Sequence, residues 1–317
     1  MKKILAEKID HVMICVKDLK QAVSTYADLF KTEFYPVEPL ALGPVGVKAA
    51  ALNASGLELI EAHEPGGRAA EFMGRAGEAP WGIAFKVPDV EQALEAAASQ
   101  GVRLLGREDG PTRKAAVLEP EDAHGVMIKL VEYFPAYTVA DLEYVTRWRK
   151  ARGMSEPVIA GKLEKVDHVL VYIENIEAAR EKFGNLFHTK FPEPHRGTIG
   201  SGSMCVDGLG IELISGGSPD SGAMRFIRAR KSEGFSGEGV GAISLKVSEY
   251  ESIFSAMKGR NIPLLATRDL PTRKVALFSA GGGIGAGFEI IEYRPLAHPI
   301  VCQEMYHDMM TQSRAGG

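Results

Sequence analysis

Cysteine is scarce in this chain, and long apolar runs are absent. Cys15, Cys205 and Cys302 lie far apart and form no CxxC pair, which is typical of reduced, buried thiols in a cytoplasmic protein. No apolar stretch approaches the ~20 residues that span a bilayer. The amino-terminal segment also lacks the apolar core of a signal peptide. These absences predict a cytoplasmic protein with no part in a membrane.

An excess of charge of one sign is missing as well. The formal net charge is −4, which argues against binding to nucleic acid or to an anionic membrane surface. The 317 residues are 45% hydrophobic and 25% charged, as in an ordinary globular protein of about two domains. We therefore expect a small-molecule substrate as the partner, and the sequence leaves a homodimer open.

What the chain does contain is an internal repeat. "KIDHVMICVKDL" at 8–19 returns as "KVDHVLVYIENI" at 165–176, an offset of 157 residues. "PTRKAAV" at 111–117 returns as "PTRKVAL" at 271–277, an offset of 160 residues. Offsets that agree this closely indicate two homologous halves.

Each half repeats again within itself. "DHVMICVKDLKQAV" at 10–23 aligns with "WGIAFKVPDVEQAL" at 81–94, and each predicts a strand, a turn at an aspartate and a helix. Short strand-like segments separated by glycine and proline follow each helix. The sequence therefore predicts an α+β fold made of four βαβββ units.

The boundaries follow from the spacing of these units. We predict a first module at 1–135, a helical linker at 136–163, a second module at 164–296, and a C-terminal helix and tail at 297–317. The linker and the tail are assigned from their helical periodicity and from the loose, polar connections beside them.

The strand pattern resembles the vicinal oxygen chelate superfamily of glyoxalases, methylmalonyl-CoA epimerases, and extradiol and hydroxyphenylpyruvate dioxygenases. The resemblance is carried by "IDHVMICVKDL" at 9–19, "GLELIEA" at 56–62 and "GVMIKLVEY" at 125–133, and by their copies in the second half. It implies two modules, each with a cupped mixed sheet that holds a divalent metal ion. The first half is most similar to the epimerases, whereas the two-module layout resembles the hydroxyphenylpyruvate dioxygenases.

The resemblance implies a metal site in the second module. Its ligand positions carry His168, Glu212 and Glu289, while Ala242 stands where a second histidine is usual. One imidazole and two carboxylates can hold one divalent ion of Zn, Mn, Fe, Co or Ni. Glu212 and Glu289 are also the candidate catalytic carboxylates. His195 is a candidate for the missing histidine.

Other polar residues are candidates for substrate contact. Tyr172 shares a strand face with His168, because side chains two apart point the same way. The remaining candidates are Lys246, Arg273 and Tyr293. The alternative for the "PTRK" segment that contains Arg273 is a purely structural turn. The basic segment "RFIRARKSEG" at 225–234 is interpreted as a solvated face that could steer an anionic substrate.

The first module has a different residue set at the same positions. There His11 and Glu58 are joined by Gly82 and by Lys129, which stands where the second half has Glu289. Two ligands rarely hold a metal ion, and a buried carboxylate needs a positive partner. We predict that Lys129 pairs with Glu58 and that this module is a degenerate pseudo-site.

Three functions remain open at this stage. The first is a metal-dependent isomerase, epimerase or lyase that acts on a small carbonyl-containing acid through a metal-stabilised enolate. The second is an Fe(II) dioxygenase of the extradiol or hydroxyphenylpyruvate type, although that chemistry normally uses two histidines and one carboxylate. The third is a non-catalytic protein that binds a small molecule.

Overall fold

The computed structural model of the chain describes residues 2–34, 45–62, 66–110, 113–134, 162–196 and 202–294. The first module supplies seven strands: β1 (Lys8–Val16), β2 (Val47–Leu52), β3 (Leu57–Ala62), β4 (Ala79–Lys86), β5 (Leu104–Asp109), β6 (Arg113–Leu118) and β7 (Met127–Tyr133). The second supplies eight: β8 (Leu163–Ile173), β9 (His195–Arg196), β10 (Ser203–Val206), β11 (Ile211–Ser215), β12 (Gly239–Val247), β13 (Leu264–Asp269), β14 (Arg273–Phe278) and β15 (Gly287–Tyr293).

Six helices accompany these strands in the described part of the chain: α1 (Leu19–Phe30), α2 (Arg68–Ala76), α3 (Val90–Ala98), α4 (Ile176–Leu186), α5 (Gly222–Ser232) and α6 (Tyr250–Gly259). The predicted turn aspartates begin two of them. Asp18 accepts a hydrogen bond from the backbone N–H of Gln21 at 2.9 Å, and Asp89 accepts one from Gln92 at 3.0 Å. Such N-caps satisfy backbone donors that the first helical turn leaves without a partner.

The strands form two curled mixed sheets. Their strand orders are β2-β3-β1-β4-β7-β6-β5 and β13-β14-β15-β12-β8-β11-β10-β9. In each sheet the two first strands of the units pair antiparallel at the centre, and each first strand runs parallel to the last strand of its own unit. This is the predicted α+β architecture of two cupped sheets built from βαβββ units.

Two details differ from the sequence prediction. The first unit shows β1, α1, β2 and β3 within the described residues, since positions 35–44 lie outside them. In addition, α2 and α5 precede the second unit of each module, and the sequence reasoning anticipated neither helix. The predicted helical linker at 136–163, apart from its last two residues, and the C-terminal helix at 297–317 also lie outside the described residues.

The convex faces of both sheets share one hydrophobic core. Val169, Val171 and Ile173 of β8 lie in the same buried cluster as Val12 and Ile14 of β1. The alternation predicted for β8 is therefore present, with branched side chains on the packing face.

Helix α1 joins the modules, because it packs against β15 of the other sheet. The Tyr26 hydroxyl donates to the carbonyl of Ile284 at 2.5 Å, and the rings of Phe30 and Phe288 pack edge to face at 5.2 Å. Cys15 and Cys205 are buried free thiols, as expected. No helix in the described residues is long and apolar enough to cross a membrane.

Candidate functional site

Three strands bring the predicted polar residues of the second module together. His168 of β8 lies with its Nε2 atom 3.2 Å from Glu212 Oε2 of β11 and 3.3 Å from Glu289 Oε1 of β15. His168 and Glu212 are almost fully buried, while Glu289 retains 8% of its surface. The Nε2 atom is buried without a well-formed hydrogen bond. A buried imidazole nitrogen between two carboxylates is an arrangement that can receive a cation.

A bulge in β8 orients the imidazole. In the pairing of β8 with β12, His168 lies opposite Ser244 and Val166 lies opposite Leu245, so Asp167 is left over. The extra residue changes the direction in which the neighbouring His168 side chain points, as bulges beside functional sites often do. Asp167 Oδ2 lies 3.0 Å from His168 Nδ1 and accepts a hydrogen bond from the Tyr293 hydroxyl at 2.9 Å. With Nδ1 held by this carboxylate, Nε2 faces the two glutamates.

A serine of the neighbouring strand β12 lies beside the triad. Ser244 is the partner in register of both His168 and Glu289, whereas Ala242 pairs with Leu170 inside an apolar cluster. The Ser244 hydroxyl donates to Glu289 Oε1 at 2.8 Å and so orients that carboxylate.

The electrostatics of the triad favour a positive charge at its centre. Burial by itself lowers the pKa of His168, but Asp167, Glu212 and Glu289 together raise it well above its usual value. Burial likewise raises the pKa of Asp167, and the contacts with His168, Lys165 and Tyr293 reverse this and lower it. The carboxylates therefore stabilise whatever cation lies among them, whether a proton or a metal ion.

The distances from His168 Nε2 to the two glutamate oxygens suit a shared metal ion, although the three side chains do not surround one as they stand. Donors 3.2–3.3 Å apart that each lie about 2.1 Å from one ion subtend an angle of about 100°, close to the angles zinc and similar ions prefer. Among the described residues, however, no three His, Cys, Asp or Glu side chains are placed so that they could hold a metal ion as they stand. The carboxylates would have to close around the ion.

The first module contains the same scaffold with an ammonium group at its centre. Lys129 Nζ lies 3.2 Å from His11 Nε2 and donates to both oxygens of Glu58 at 3.1 and 3.2 Å. The predicted pair between Lys129 and Glu58 is thus present and buried. Burial raises the pKa of Glu58, but the charges of Lys129 and His11 more than reverse this and hold it well below its usual range.

The supporting contacts of the first module match those of the second. Asp10 Oδ2 lies 2.7 Å from His11 Nδ1 and accepts from the Tyr133 hydroxyl at 2.7 Å. The strand register skips Asp10 between Ile9 and His11, as it skips Asp167 in the other sheet. The two modules therefore differ at the centre of the site and agree around it.

The other residues predicted to contact the substrate or the metal have different surroundings. The half-buried Tyr172 faces the cup, and the charges of Glu212 and Glu289 add to burial in raising its pKa. Lys246 is engaged by Glu164 at 2.5 Å. His195 lies opposite Met204 on the edge strand β9. Burial lowers the pKa of His195 and the charge of Glu212 raises it, so the two residues are in electrostatic contact.

Arg273 differs from its counterpart in the first module. It is 4% exposed and donates to the Thr272 hydroxyl at 3.2 Å. Arg113, its counterpart, forms an ion pair with Glu108 at 3.2 Å. The residue equivalent to Glu108 is Arg268, so the second module has lost the acidic partner at this place.

Sequence reasoning missed Asp167 behind His168, and it named Tyr293, which donates to Asp167, only as a candidate for substrate contact. The Asp–His dipeptide occurs in both repeats, at 10–11 and 167–168, and this recurrence was the available signal for the carboxylate–histidine pair. The interpretation of the segment at 225–234 as a solvated face was also wrong in part. Arg230 in that segment is only 6% exposed, because α5 turns it towards the first module.

Comparison with known proteins agrees with this geometry. Residues 10–117 match a family model described as the Glyoxalase/Bleomycin resistance protein/Dioxygenase superfamily. The fold of the whole chain matches a mutant of 4-hydroxymandelate synthase from Streptomyces coelicolor with a TM-score of 0.65. The first module thus resembles this superfamily in sequence, and the likeness in fold extends to both modules. The match to the synthase covers 95% of this chain and 96% of that one at 15% identity, so it defines the fold.

Two further similar proteins extend the comparison. The Mn(II)-bound glyoxalase from Novosphingobium aromaticivorans matches with a TM-score of 0.56 and 12% identity, over 91% of this chain and 83% of that one. The uncharacterized protein YqjC from Bacillus subtilis (strain 168) is 27% identical over 128 residues, which are 39% of this chain and 91% of that protein. The superfamily thus includes several activities on one fold.

Proposed function

We propose that the second module binds one divalent metal ion through His168, Glu212 and Glu289. We further propose that the chain catalyses proton transfer in a small carbonyl-containing acid, as an isomerase, epimerase or lyase. The observation that carries this is the buried Nε2 atom of His168, which lies 3.2–3.3 Å from two carboxylates and lacks a well-formed hydrogen bond. When bound, the ion would polarise a substrate carbonyl and acidify the neighbouring C–H bond.

The residues around the triad have distinct roles in this proposal. Asp167 and Tyr293 hold His168 in the tautomer that presents Nε2. Glu289 is the most exposed of the three side chains, and Ser244 fixes one of its oxygens. Its other oxygen is the candidate for accepting the substrate proton, because a general base must reach the C–H bond.

Arg273 is our candidate for holding the carboxylate of the substrate. It shares its strand face with Val275 and Leu277, and Leu277 lies opposite Glu289 on β15. Replacement of the acidic partner by Arg268 leaves this buried guanidinium with a hydroxyl and no carboxylate among its described contacts. A forked guanidinium matches a carboxylate well.

The test is proton exchange in deuterated water under anaerobic conditions, with 2-oxobutanoate as the first probe and metal-loaded protein as the catalyst. We expect exchange at the carbon next to the carbonyl, and we expect chelation or Glu289→Gln to abolish it. Lys114→Met, which removes a side chain of the first module distant from the triad, serves as the matched control.

Two results would replace this proposal. Turnover that strictly requires oxygen would favour the dioxygenase, for which the shared two-module fold of 4-hydroxymandelate synthase is the supporting observation. Tight binding of small acids with neither exchange nor turnover would favour a non-catalytic binding protein.

A further inference from the structure

Arg230 is a buried cation of α5 that lines a cavity between the two modules. This cavity has an empty volume of about 670 Å³, including the open solvent at its mouth, and is lined by both modules. The first contributes Phe72 of α2 and Trp81 of β4, and the second contributes Phe235 and Arg230. Aromatic walls around a buried charged group are typical of a small-molecule site.

Arg230 is buried and lacks a hydrogen-bonded partner. It is 6% exposed, its Nε atom is buried without a hydrogen bond, and no carboxylate lies within ion-pair distance of it in the described part of the chain. Its guanidinium instead stacks on Phe235, with 4.1 Å to the ring centroid, and lies 5.0 Å from the ring of Phe72. Aromatic faces offset part of the cost of burying a cation, but they accept no N–H···O hydrogen bond.

The guanidinium keeps its charge at neutral pH. Burial lowers the pKa of Arg230 only to about 10, while the charges of Glu233 and Cys15 act in the opposite direction. The thiol of Cys15 does not neutralise it, because burial raises the pKa of that thiol well above its usual value. A permanent positive charge therefore faces the cavity.

The other charged residues that line the cavity are already engaged. Arg68 contacts Glu119 at 2.5 Å, Glu121 at 3.5 Å and Glu71 at 3.7 Å. Arg75 donates to the carbonyl of Gly234 at 3.2 Å and lies over the Phe235 ring. Arg75 and Arg230 are therefore the lining arginines without a carboxylate partner among the described residues, and of these two only Arg230 is buried.

We infer that this cavity binds a small monoanionic acid with a flat apolar body, an arylcarboxylate, whose carboxylate pairs with Arg230. The fork of the single buried guanidinium matches a carboxylate. The rings of Phe72, Trp81 and Phe235 supply apolar and stacking surfaces for the body of the ligand. This inference does not depend on the proposed reaction at His168.

The test uses Trp81 as a local reporter and benzoate as the probe. The chain has two tryptophans, so Trp148→Phe leaves Trp81 as the sole emitter. In this full-length background we expect benzoate to change the fluorescence saturably and to raise the melting temperature. Arg230→Met should weaken benzoate binding by about tenfold or more, because a charge-assisted hydrogen bond is lost.

Matched variants make the result decisive. Arg228→Met removes the same charge from an exposed position of the same helix and should leave benzoate binding within about twofold, since surface charges far from a site act weakly. Arg230→Lys retains the charge without the fork and should give intermediate affinity if it is folded. The inference is overturned if benzoate has no saturable effect, if Arg230→Met binds it as well as the parent, or if inorganic phosphate binds more tightly.

Discussion

Lys129 and Glu289 occupy matching places in the two sheets, one beside each first-strand histidine. Lys129 Nζ lies 3.2 Å from His11 Nε2, and Glu289 Oε1 lies 3.3 Å from His168 Nε2. The same scaffold thus surrounds an ammonium group in one module and a pair of carboxylates in the other. The first module therefore contains an internal ion pair, whereas the second attracts a cation, and the difference is the sign of the charge at this one position.

The first prediction concerns the ion pair of the first module. Lys129→Met leaves Glu58 buried without its ammonium partner, and removal of one partner of a buried pair costs about 3–5 kcal/mol. Urea denaturation should show this loss in the free energy of unfolding. Lys114→Met, a partly exposed lysine on the adjacent strand, should change it by less than about 0.5 kcal/mol. An unchanged denaturation curve for Lys129→Met would contradict the account.

The second prediction concerns the residues behind the histidines. Tyr293→Phe removes the hydrogen bond to Asp167 and should weaken metal binding by about tenfold, as losses of such outer contacts do. Titration with Mn²⁺ followed by electron paramagnetic resonance measures the affinity. Tyr133→Phe deletes the matching hydroxyl of the first module and should leave that affinity unchanged. Equal effects of the two variants would sink the assignment of the ion to the second module.

The third prediction uses a buried carboxylate in a turn of the second module. Asp207 accepts hydrogen bonds from the N–H groups of Leu209 and Ile211, as Asn53 does from Ser55 and Leu57 in the first. Burial raises the pKa of Asp207 from 3.8 to about 6, against those hydrogen bonds. Because the folded-state value is the higher one, stability from this group is present at low pH and is lost as the pH rises through about 6.

Asp207→Asn should therefore raise the free energy of unfolding at pH 7 by about 2–3 kcal/mol and by little at pH 4. Asn53→Asp is the reciprocal variant and should lower stability at pH 7. Urea denaturation across this pH range measures both. A stabilisation by Asp207→Asn that is equal at pH 4 and pH 7 would show that the carboxyl does not titrate as described.

The fourth prediction addresses Arg273. Arg273→Gln should raise the KM for a carbonyl acid in the exchange assay by about tenfold or more, since a charge-assisted hydrogen bond is lost, and should leave metal content unchanged. Arg113→Gln breaks the ion pair with Glu108 and should leave KM unaltered. A fall in kcat with KM unchanged would instead assign Arg273 a role in the chemical step.

The sequence predicted the fold well because repeats and strand alternation are local patterns. The two cupped sheets, the packing face of Val169, Val171 and Ile173, and the pair between Lys129 and Glu58 all follow from residue spacing and from the repeat. Helix α2 was missed because its nine residues bury only Ala69 and Phe72, which leaves a weak apolar pattern.

The site was predicted less completely because its details depend on irregular register. The alternation rule sends neighbouring side chains to opposite faces, so it separated Asp167 from His168. The bulge brings them together, and Ser244 lies opposite His168 beside it. The burial of Arg230 could not be predicted from the sequence either, because it depends on how α5 packs against the other module.

Elemental analysis of purified protein after saturation with a divalent metal and removal of excess tests the central claim most directly. We predict one ion per chain in the parent and in Lys129→Ala, and none in Glu289→Ala or His168→Ala. Circular dichroism on the same samples confirms that each variant is folded. Two ions per chain, or an ion retained by Glu289→Ala and lost on His11→Ala, would contradict the account.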